Sequence, residues 1–173
     1  MVATRRWDGT FDSMDCSPYV NHLVKEFDLF KKRLDANVLS GDIPRSVELK
    51  LWRECISVAM LCLVEGYSRV KKCSNEGRAL MSLDLKVLQN SLEKMTSLRP
   101  IPMLAYVDTY VKAYYLSEIE LLPWCRQHPE YTLKQWQSIV NVGVGVHLKK
   151  KNRQEMLQAL EDIDRRERRK QPK

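Results

Sequence analysis

The chain of 173 residues is 44% hydrophobic and 29% charged, with a formal net charge of +7. This composition predicts one folded domain with a sizeable core and argues against disorder over the whole length. The longest apolar run, residues 55–64, reaches about half of the ~20 residues that a membrane-spanning helix needs. The first residues lack the apolar block of a signal peptide, so we expect a cytosolic protein.

The five cysteines and three histidines show no metal-ligand pattern. The cysteine count is odd, the spacings are wide and no C-x-x-C pair occurs, so a disulfide framework is not expected. The histidines stand at no ligand spacing from the cysteines, and zinc is not expected either. The sequence therefore predicts no cofactor.

The first predicted helix follows residues 1–16, which lack periodicity and are expected to form a loose lead-in. Ser17 should be the N-cap and Pro18 the first helical residue, a favourable pairing. Apolar side chains recur at helical spacing along this segment: Leu23, Phe27, Phe30 and Leu34. The Gly-Asp-Ile-Pro run at 41–44 ends the pattern.

The second predicted helix is the most apolar, and Ser46 can cap it. Apolar residues between 47 and 70 nearly surround this helix, which predicts a place in the middle of a bundle. A third helix should follow a break at 74–77, with Ser74 or Asn75 as its cap. The Arg-Pro-Ile-Pro run at 99–102 ends it, since each proline removes a backbone donor.

A fourth helix is predicted at about 103–116, and a proline complicates the next element. Ser117 and Glu120 have the spacing of a capping box. A helix that started there would carry Pro123 in its interior, at a cost of roughly 3 kcal/mol. We therefore expect Pro123 at the first position of a helical turn that ends near His128.

Thr132 and Gln135 have the form of a second capping box, which opens a further helix. A final helix is predicted at about 150–166. No segment alternates with period two for long enough to predict a sheet. The predicted fold is all-α, an elongated, rod-like bundle of about six or seven helices.

Enzyme signatures are missing from the sequence. The Gly143-Val144-Gly145 run lacks the third glycine, the preceding strand and the downstream acid of a dinucleotide site, and is better interpreted as a helix end or close-packing site. No H-E-x-x-H, G-x-S-x-G or paired metal-binding acids occur. The sequence predicts a protein that is not an enzyme.

The basic charge is concentrated at the end of the chain, where residues 149–173 hold ten basic and five acidic side chains. One interpretation is a charged helix face whose last residues fray in solvent. Another is attraction to anionic phospholipid or to an acidic partner. Nucleic-acid binding through this helix is the alternative function, weakened because no aromatic residues interleave the basic ones.

Four blocks of sequence resemble, in order, the C-terminal region of the syndetin family: residues 64–81, 99–102, 111–116 and 159–170. The resemblance runs from about residue 17 to 164, and departs from the family at Pro123 and in the Arg-rich extension after residue 164. It implies a piece of a multisubunit tether, the EARP complex, with partner subunits shared with the GARP complex and with SNARE proteins. It also implies a peripheral location on recycling endosomes or trans-Golgi-derived membranes, and no enzymatic activity.

The expected domain organisation is a lead-in at 1–16, a helical syndetin-like domain at 17–164 and a basic tail at 165–173. Two groups of basic residues are candidates for contact with a partner or a membrane. The first surrounds the break before the third helix: Arg69, Lys71, Lys72 and Arg78. The second lies on the terminal helix: Lys149, Lys150, Lys151, Arg153, Arg165, Arg166, Arg168 and Arg169.

Overall fold

Seven α-helices make up most of the described chain in a computed structural model. The structure describes residues 2, 5–9 and 15–170, with side chains as far as residue 167. The helices in chain order are α1 (Pro18–Leu39), α2 (Arg45–Ser68), α3 (Asn75–Thr96), α4 (Leu104–Ala113), α5 (Glu118–Gln127), α6 (Leu133–Val142) and α7 (Lys150–Lys170). The described residues form no β-strand beyond an isolated bridge between Trp7 and Cys73. The all-α prediction is confirmed.

Helices α1, α2, α4 and α3 pack in a ring, in which each helix contacts the next and α3 contacts α1. Helix α6 packs on α2, α7 packs on α6, and α5 packs on α7. Apolar side chains from every helix form one buried core. These contacts give the helical bundle that the sequence predicts, while its elongated, rod-like shape stays a prediction. Within the described part of the chain, none of the helices combines the length and apolar composition that crossing a membrane requires.

Local sequence signals set several helix starts as predicted. Ser74 caps α3, because its hydroxyl accepts a hydrogen bond from Gly77 N at 3.1 Å. Thr132 and Gln135 form the predicted capping box of α6, with Thr132 N donating to Gln135 Oε1 at 2.8 Å. Ser17 stands at the predicted N-cap of α1, but its side chain makes no capping bond.

The predicted start of α2 is wrong. The helix begins at Arg45 with Pro44 as its N-cap, rather than after Ser46. The Pro44 carbonyl accepts the backbone N–H of Val47 at 2.8 Å. Proline is compatible with the extended backbone before a helix, so the helix starts directly after the break.

The predicted central position of α2 is also wrong in part. One side of the helix is fully packed by its neighbours and carries Trp52, Ile56, Met60, Leu63, Val64 and Tyr67. The opposite side faces outward, although it is also apolar. A helix that is apolar on most sides needs partners on all of them to be central, and this fold covers only one.

Pro123 lies inside α5 rather than at its first turn, contrary to the prediction. The helix starts at Glu118, because the Glu120 carboxylate accepts the backbone N–H of Ser117 at 2.8 Å and its hydroxyl at 2.6 Å. These charge-assisted bonds stabilise the first turn and offset the hydrogen bond that the proline lacks. The residue four positions before the proline, Ile119, is 86% exposed.

The lead-in is not loose at residues 2 and 5–9. Trp7 is only 1% exposed and packs edge-on against Tyr67, with ring centroids 5.9 Å apart. Its carbonyl accepts the backbone N–H of Ser74 at 2.9 Å, and its indole N–H donates to the Val2 carbonyl at 3.0 Å. Gly77 leaves room for this contact, since a Cβ there would overlap the Trp7 carbonyl. The domain boundaries themselves stay predictions.

Candidate functional site

Buried titratable groups in the bundle serve its packing. The hydroxyls of Tyr19 and Tyr67 bond to each other at 2.7 Å, and Tyr114 donates to the Tyr67 carbonyl at 3.1 Å. Burial raises the pKa of Tyr114 to about 12, so its hydroxyl stays protonated. No group of three metal-ligating side chains occurs among the residues that the structure describes. This part of the chain shows no converging acid, base and nucleophile.

Asp84 is the one buried carboxylate among the described residues and anchors the start of α1. Its Oδ1 accepts the backbone N–H of Ser17 at 2.6 Å, which satisfies a donor that precedes the first turn. Burial raises the pKa of Asp84 above its usual value, against the opposing effect of that hydrogen bond. A carboxylate bound to a helix start in this way is a structural link between α3 and α1.

The first predicted basic group is split by its contacts. Arg69 pairs with Glu65 one turn earlier, at 2.7 Å, while Lys71 and Lys72 are exposed. Arg78 is half-buried, donates to the Val142 carbonyl at 3.4 Å and covers the exposed ring of Tyr115, 5.6 Å away. Its position at the C-terminus of α6 is favourable, because that end of a helix carries partial negative charge.

The second predicted group is also divided. Arg153 donates to Asn141 Oδ1 at 2.6 Å, so it reaches the same end of α6 as Arg78. Lys149, Lys150 and Lys151 are exposed at the start of α7. Arg165 lies about four turns beyond Lys151, and its guanidinium is 3.6 Å from the Glu161 carboxylate. The side chains of Arg168 and Arg169 lie outside the described residues, and Arg166 is exposed.

One residue from each of the two predicted basic groups reaches the same end of α6. Arg78 of α3 contacts the Val142 carbonyl and Arg153 of α7 contacts Asn141, both in the last turn of α6. The tertiary fold brings them together, since nothing in their sequence spacing indicates it. Binding by any of these residues remains a proposal.

The outward side of α2 carries a row of exposed apolar side chains, the α2 seam, formed by Val47, Leu51, Val58 and Leu61. Val58 is 56% exposed and Leu61 is 45% exposed. Glu54 and Glu65 fill the remaining positions, so the spacing alternates between four and three as in a coiled coil. A partner helix could cover such a row, since it leaves an apolar strip facing water.

The residues of the α2 seam are apolar in the sequence, but periodicity does not separate them from the buried stripe of the same helix. The seam residues interleave with the buried stripe of α2, and both have helical spacing. Periodicity identifies faces of a helix without saying which face a neighbour covers. The heptad spacing from residue 47 to 65 is the signal that could have indicated a second, exposed face.

A second feature that sequence analysis missed is an open cleft beside α3. It is bounded by α3, by Arg53 of α2 and by the segment from residue 100 to 108. Its volume is about 750 Å³, within the size range of sites that bind ligands. We refer to it as the α3–α4 cleft. Its lining residues come from three separate parts of the sequence.

Comparison with known proteins gives the same family for the family model and for the curated relatives. The model of the family described as "Syndetin, C-terminal" matches residues 1–161. Syndetin of Gallus gallus is 46% identical over 165 residues, which is 95% of this chain and 17% of that protein. Syndetin of Rattus norvegicus is 47% identical over 165 residues, with the same two shares. Syndetin of Mus musculus is 47% identical over 160 residues, 92% of this chain and 17% of that protein.

The chain thus spans about a sixth of the length of the curated relatives that it matches. No solved structure matches it.

Proposed function

The chain belongs to the Syndetin C-terminal family, and on that premise we propose that it is a non-enzymatic helical scaffold domain of a vesicle-tethering complex. The proposed role is in vesicle transport from endosomes back to the plasma membrane. The proposed partners are tether subunits shared with the GARP complex, and SNARE proteins. The proposed location is cytoplasmic and peripheral, on recycling endosomes or trans-Golgi-derived membranes.

The α2 seam is the observation that carries this proposal. Four apolar side chains stand outward at coiled-coil spacing on a helix whose other side is fully packed. Leaving them in water costs free energy, which a partner helix recovers by burying them. A helix with an apolar stripe of the same spacing is therefore the expected occupant, and a tether subunit is its proposed source.

The charges on the seam favour a partner helix with a basic residue. Glu54 makes no ion pair with another described residue, whereas Glu65 is already paired with Arg69. A lysine or arginine that faced Glu54 would pair with it in the contact and set the register of the two helices. The partner contact is thus expected to be specific as well as apolar.

The interior of the bundle supports a scaffold more than a catalyst. The buried hydroxyls of Tyr19, Tyr67 and Tyr114 bond to each other or to a backbone carbonyl, and the buried carboxylate of Asp84 holds a helix start. These contacts fix the relative positions of α1, α2, α3 and α4. A tether subunit needs a rigid body with an outer surface that binds partners.

The test is affinity capture with the tagged complete chain, followed by mass spectrometry. We expect tether subunits or SNARE proteins to be recovered, and the double variant Val58→Glu/Leu61→Glu to lose them while keeping its circular dichroism and melting temperature. Ile119→Glu is the matched control, since Ile119 is equally apolar and more exposed but lies on α5. It should retain capture.

Two outcomes would contradict the proposal. Recovery of ribosomal or chromatin proteins alone would favour the nucleic-acid alternative, which salt-titrated RNA and DNA binding then checks. Equal capture by the wild type and the seam variant would show that the α2 seam is not the contact surface.

A further inference from the structure

The α3–α4 cleft combines an apolar floor with a firm rim. Leu85 and Ile101 are buried at its base, while Met103 on the rim is 38% exposed. Pro100 and Pro102 form one wall, and their rings restrict the backbone of that wall. A cleft whose wall is already ordered loses little conformational freedom when a ligand binds.

Positive charge on the rim is left without a partner. Arg53 makes no ion pair with any described residue, and the Lys86 ammonium donates only to the neutral Gln89 Oε1, at 3.2 Å. Asp108 is the only carboxylate among the described residues that line the cleft, and Lys112 already pairs with it at 2.6 Å. The cleft therefore presents apolar surface beside two available cations.

This combination selects one class of occupant. A membrane surface is recognised by clusters of four or more basic residues, and two are too few. Single-stranded nucleic acid needs exposed aromatic rings for stacking, whereas Tyr106, the one aromatic residue of the described lining, already stacks on Tyr131 at 4.7 Å. A peptide with apolar side chains and flanking carboxylates matches both the floor and the rim.

We propose that the α3–α4 cleft binds a short peptide segment of a partner protein, with apolar side chains on the floor and acidic side chains paired with Arg53 and Lys86. This contact lies outside the α2 seam and does not depend on the tethering role. Arg53 and Lys86 act as specificity determinants, because they reject a basic peptide of the same apolar content.

The test uses a displayed library of random 12-residue peptides, selected on the immobilised complete chain. We expect enrichment of sequences in which Asp or Glu flanks two or three apolar residues. An enriched peptide should bind Arg53→Glu/Lys86→Glu at least about tenfold more weakly, because two attractive contacts become repulsive. The same peptide with its acids replaced by lysine should regain binding to that variant.

The matched control is Lys25→Glu/Lys134→Glu. Both lysines are exposed, and this variant changes the net charge by the same amount as the cleft variant but lies outside the cleft and outside the candidate basic groups. It should bind the enriched peptide as the wild type does. The methyl resonance of Met103 should shift on titration with the peptide, since that side chain stands on the rim.

Any of three results would overturn the proposal. The first is a library that yields no enrichment, or enrichment of basic peptides. The second is equal loss of binding in the two charge-reversal variants, which would indicate a non-specific effect of net charge. The third is binding that leaves the Met103 methyl unchanged, which would place the peptide elsewhere.

Discussion

Replacing Trp7 with alanine measures how firmly the lead-in is held. A loose lead-in would make this substitution neutral. In the structure Trp7 is 1% exposed, packs on Tyr67 and Tyr19, and hydrogen-bonds through its own carbonyl to Ser74. A loose lead-in and a docked one therefore predict different losses of stability for Trp7→Ala, and this single variant distinguishes them.

The expected loss of stability follows from burial. Truncating a buried tryptophan to alanine costs about 3–5 kcal/mol. The loss cannot exceed the free energy that docks the segment around Trp7, because a terminal segment that loses its anchor detaches locally and leaves the helices folded. We therefore expect the lower end, about 3 kcal/mol, and a fall in melting temperature of about 6–12 °C for a protein of this size.

Urea unfolding followed by circular dichroism provides the measurement. The midpoint should fall with little change in the slope, since the helical core remains the cooperative unit. Ile119→Ala is the control for removing a large apolar side chain, because Ile119 is 86% exposed. It should change the free energy of unfolding by no more than about 0.5 kcal/mol.

Gly77→Ala should have opposite effects on stability with and without the lead-in. Alanine stabilises a helix relative to glycine by up to about 1 kcal/mol. Here the new Cβ would overlap the Trp7 carbonyl, while its other close neighbour, Cys73 Sγ at 3.0 Å, belongs to a side chain that can rotate. The substitution should destabilise the complete chain but stabilise a variant that lacks residues 1–9.

A Trp7→Ala protein as stable as the Ile119→Ala control would refute this reasoning. So would a complete chain that Gly77→Ala stabilises. Either result would mean that the lead-in does not rest against Ser74 and Gly77 in solution.

Three further predictions concern the core, the buried acid and the terminal helix. Leu63→Asp should lower the free energy of unfolding by about 3 kcal/mol or more, because Leu63 is 3% exposed and its replacement buries a charge. Leu61→Asp, at a residue 45% exposed, should lower it by less than about 1 kcal/mol. Equal urea midpoints for the two variants would show that α2 is wrongly oriented. Burial raises the pKa of Asp84 above its unfolded value of 3.8. At a pH between the unfolded and the folded pKa, Asp84 therefore holds a proton in the folded state and has released it in the unfolded state. The free energy of unfolding consequently falls as pH rises through that range. Asp84→Asn keeps the acceptor for Ser17 and should abolish this fall, as urea midpoints measured at successive pH values will check; an unchanged pH dependence would assign it to other groups. The last variant neutralises four arginines of α7: Arg165→Gln, Arg166→Gln, Arg168→Gln and Arg169→Gln. It should keep the melting temperature of the wild type but float less with anionic vesicles. Equal flotation of the variant and the wild type would count against membrane contact.

Local signals in the sequence were sufficient for the type and number of the helices. Ser74 and the Thr132–Gln135 pair act on backbone groups within the same turn, so their effect does not depend on the rest of the fold. Pro123 shows where local signals conflict. The proline and the capping box make opposite predictions, and the carboxylate of Glu120 decided the outcome.

The candidate sites were less accessible from the sequence. The α2 seam and the buried stripe of the same helix have one period, and only the neighbouring helices decide which of them is covered. The cleft depends on Arg53, Lys86 and the 100–108 segment, which are distant in sequence. The predicted basic groups were exposed in part, but Arg78 and Arg153 were already engaged at the end of α6.

The sequence by itself determined the all-α class, most helix boundaries and the family, because hydrophobic periodicity, caps and ordered blocks of residues are local properties of the chain. The tertiary structure alone decided that Trp7 is buried, that one apolar face of α2 stays outside and that two cations border an apolar cleft. These features depend on which surfaces meet across long sequence separations, and no local pattern encodes that pairing.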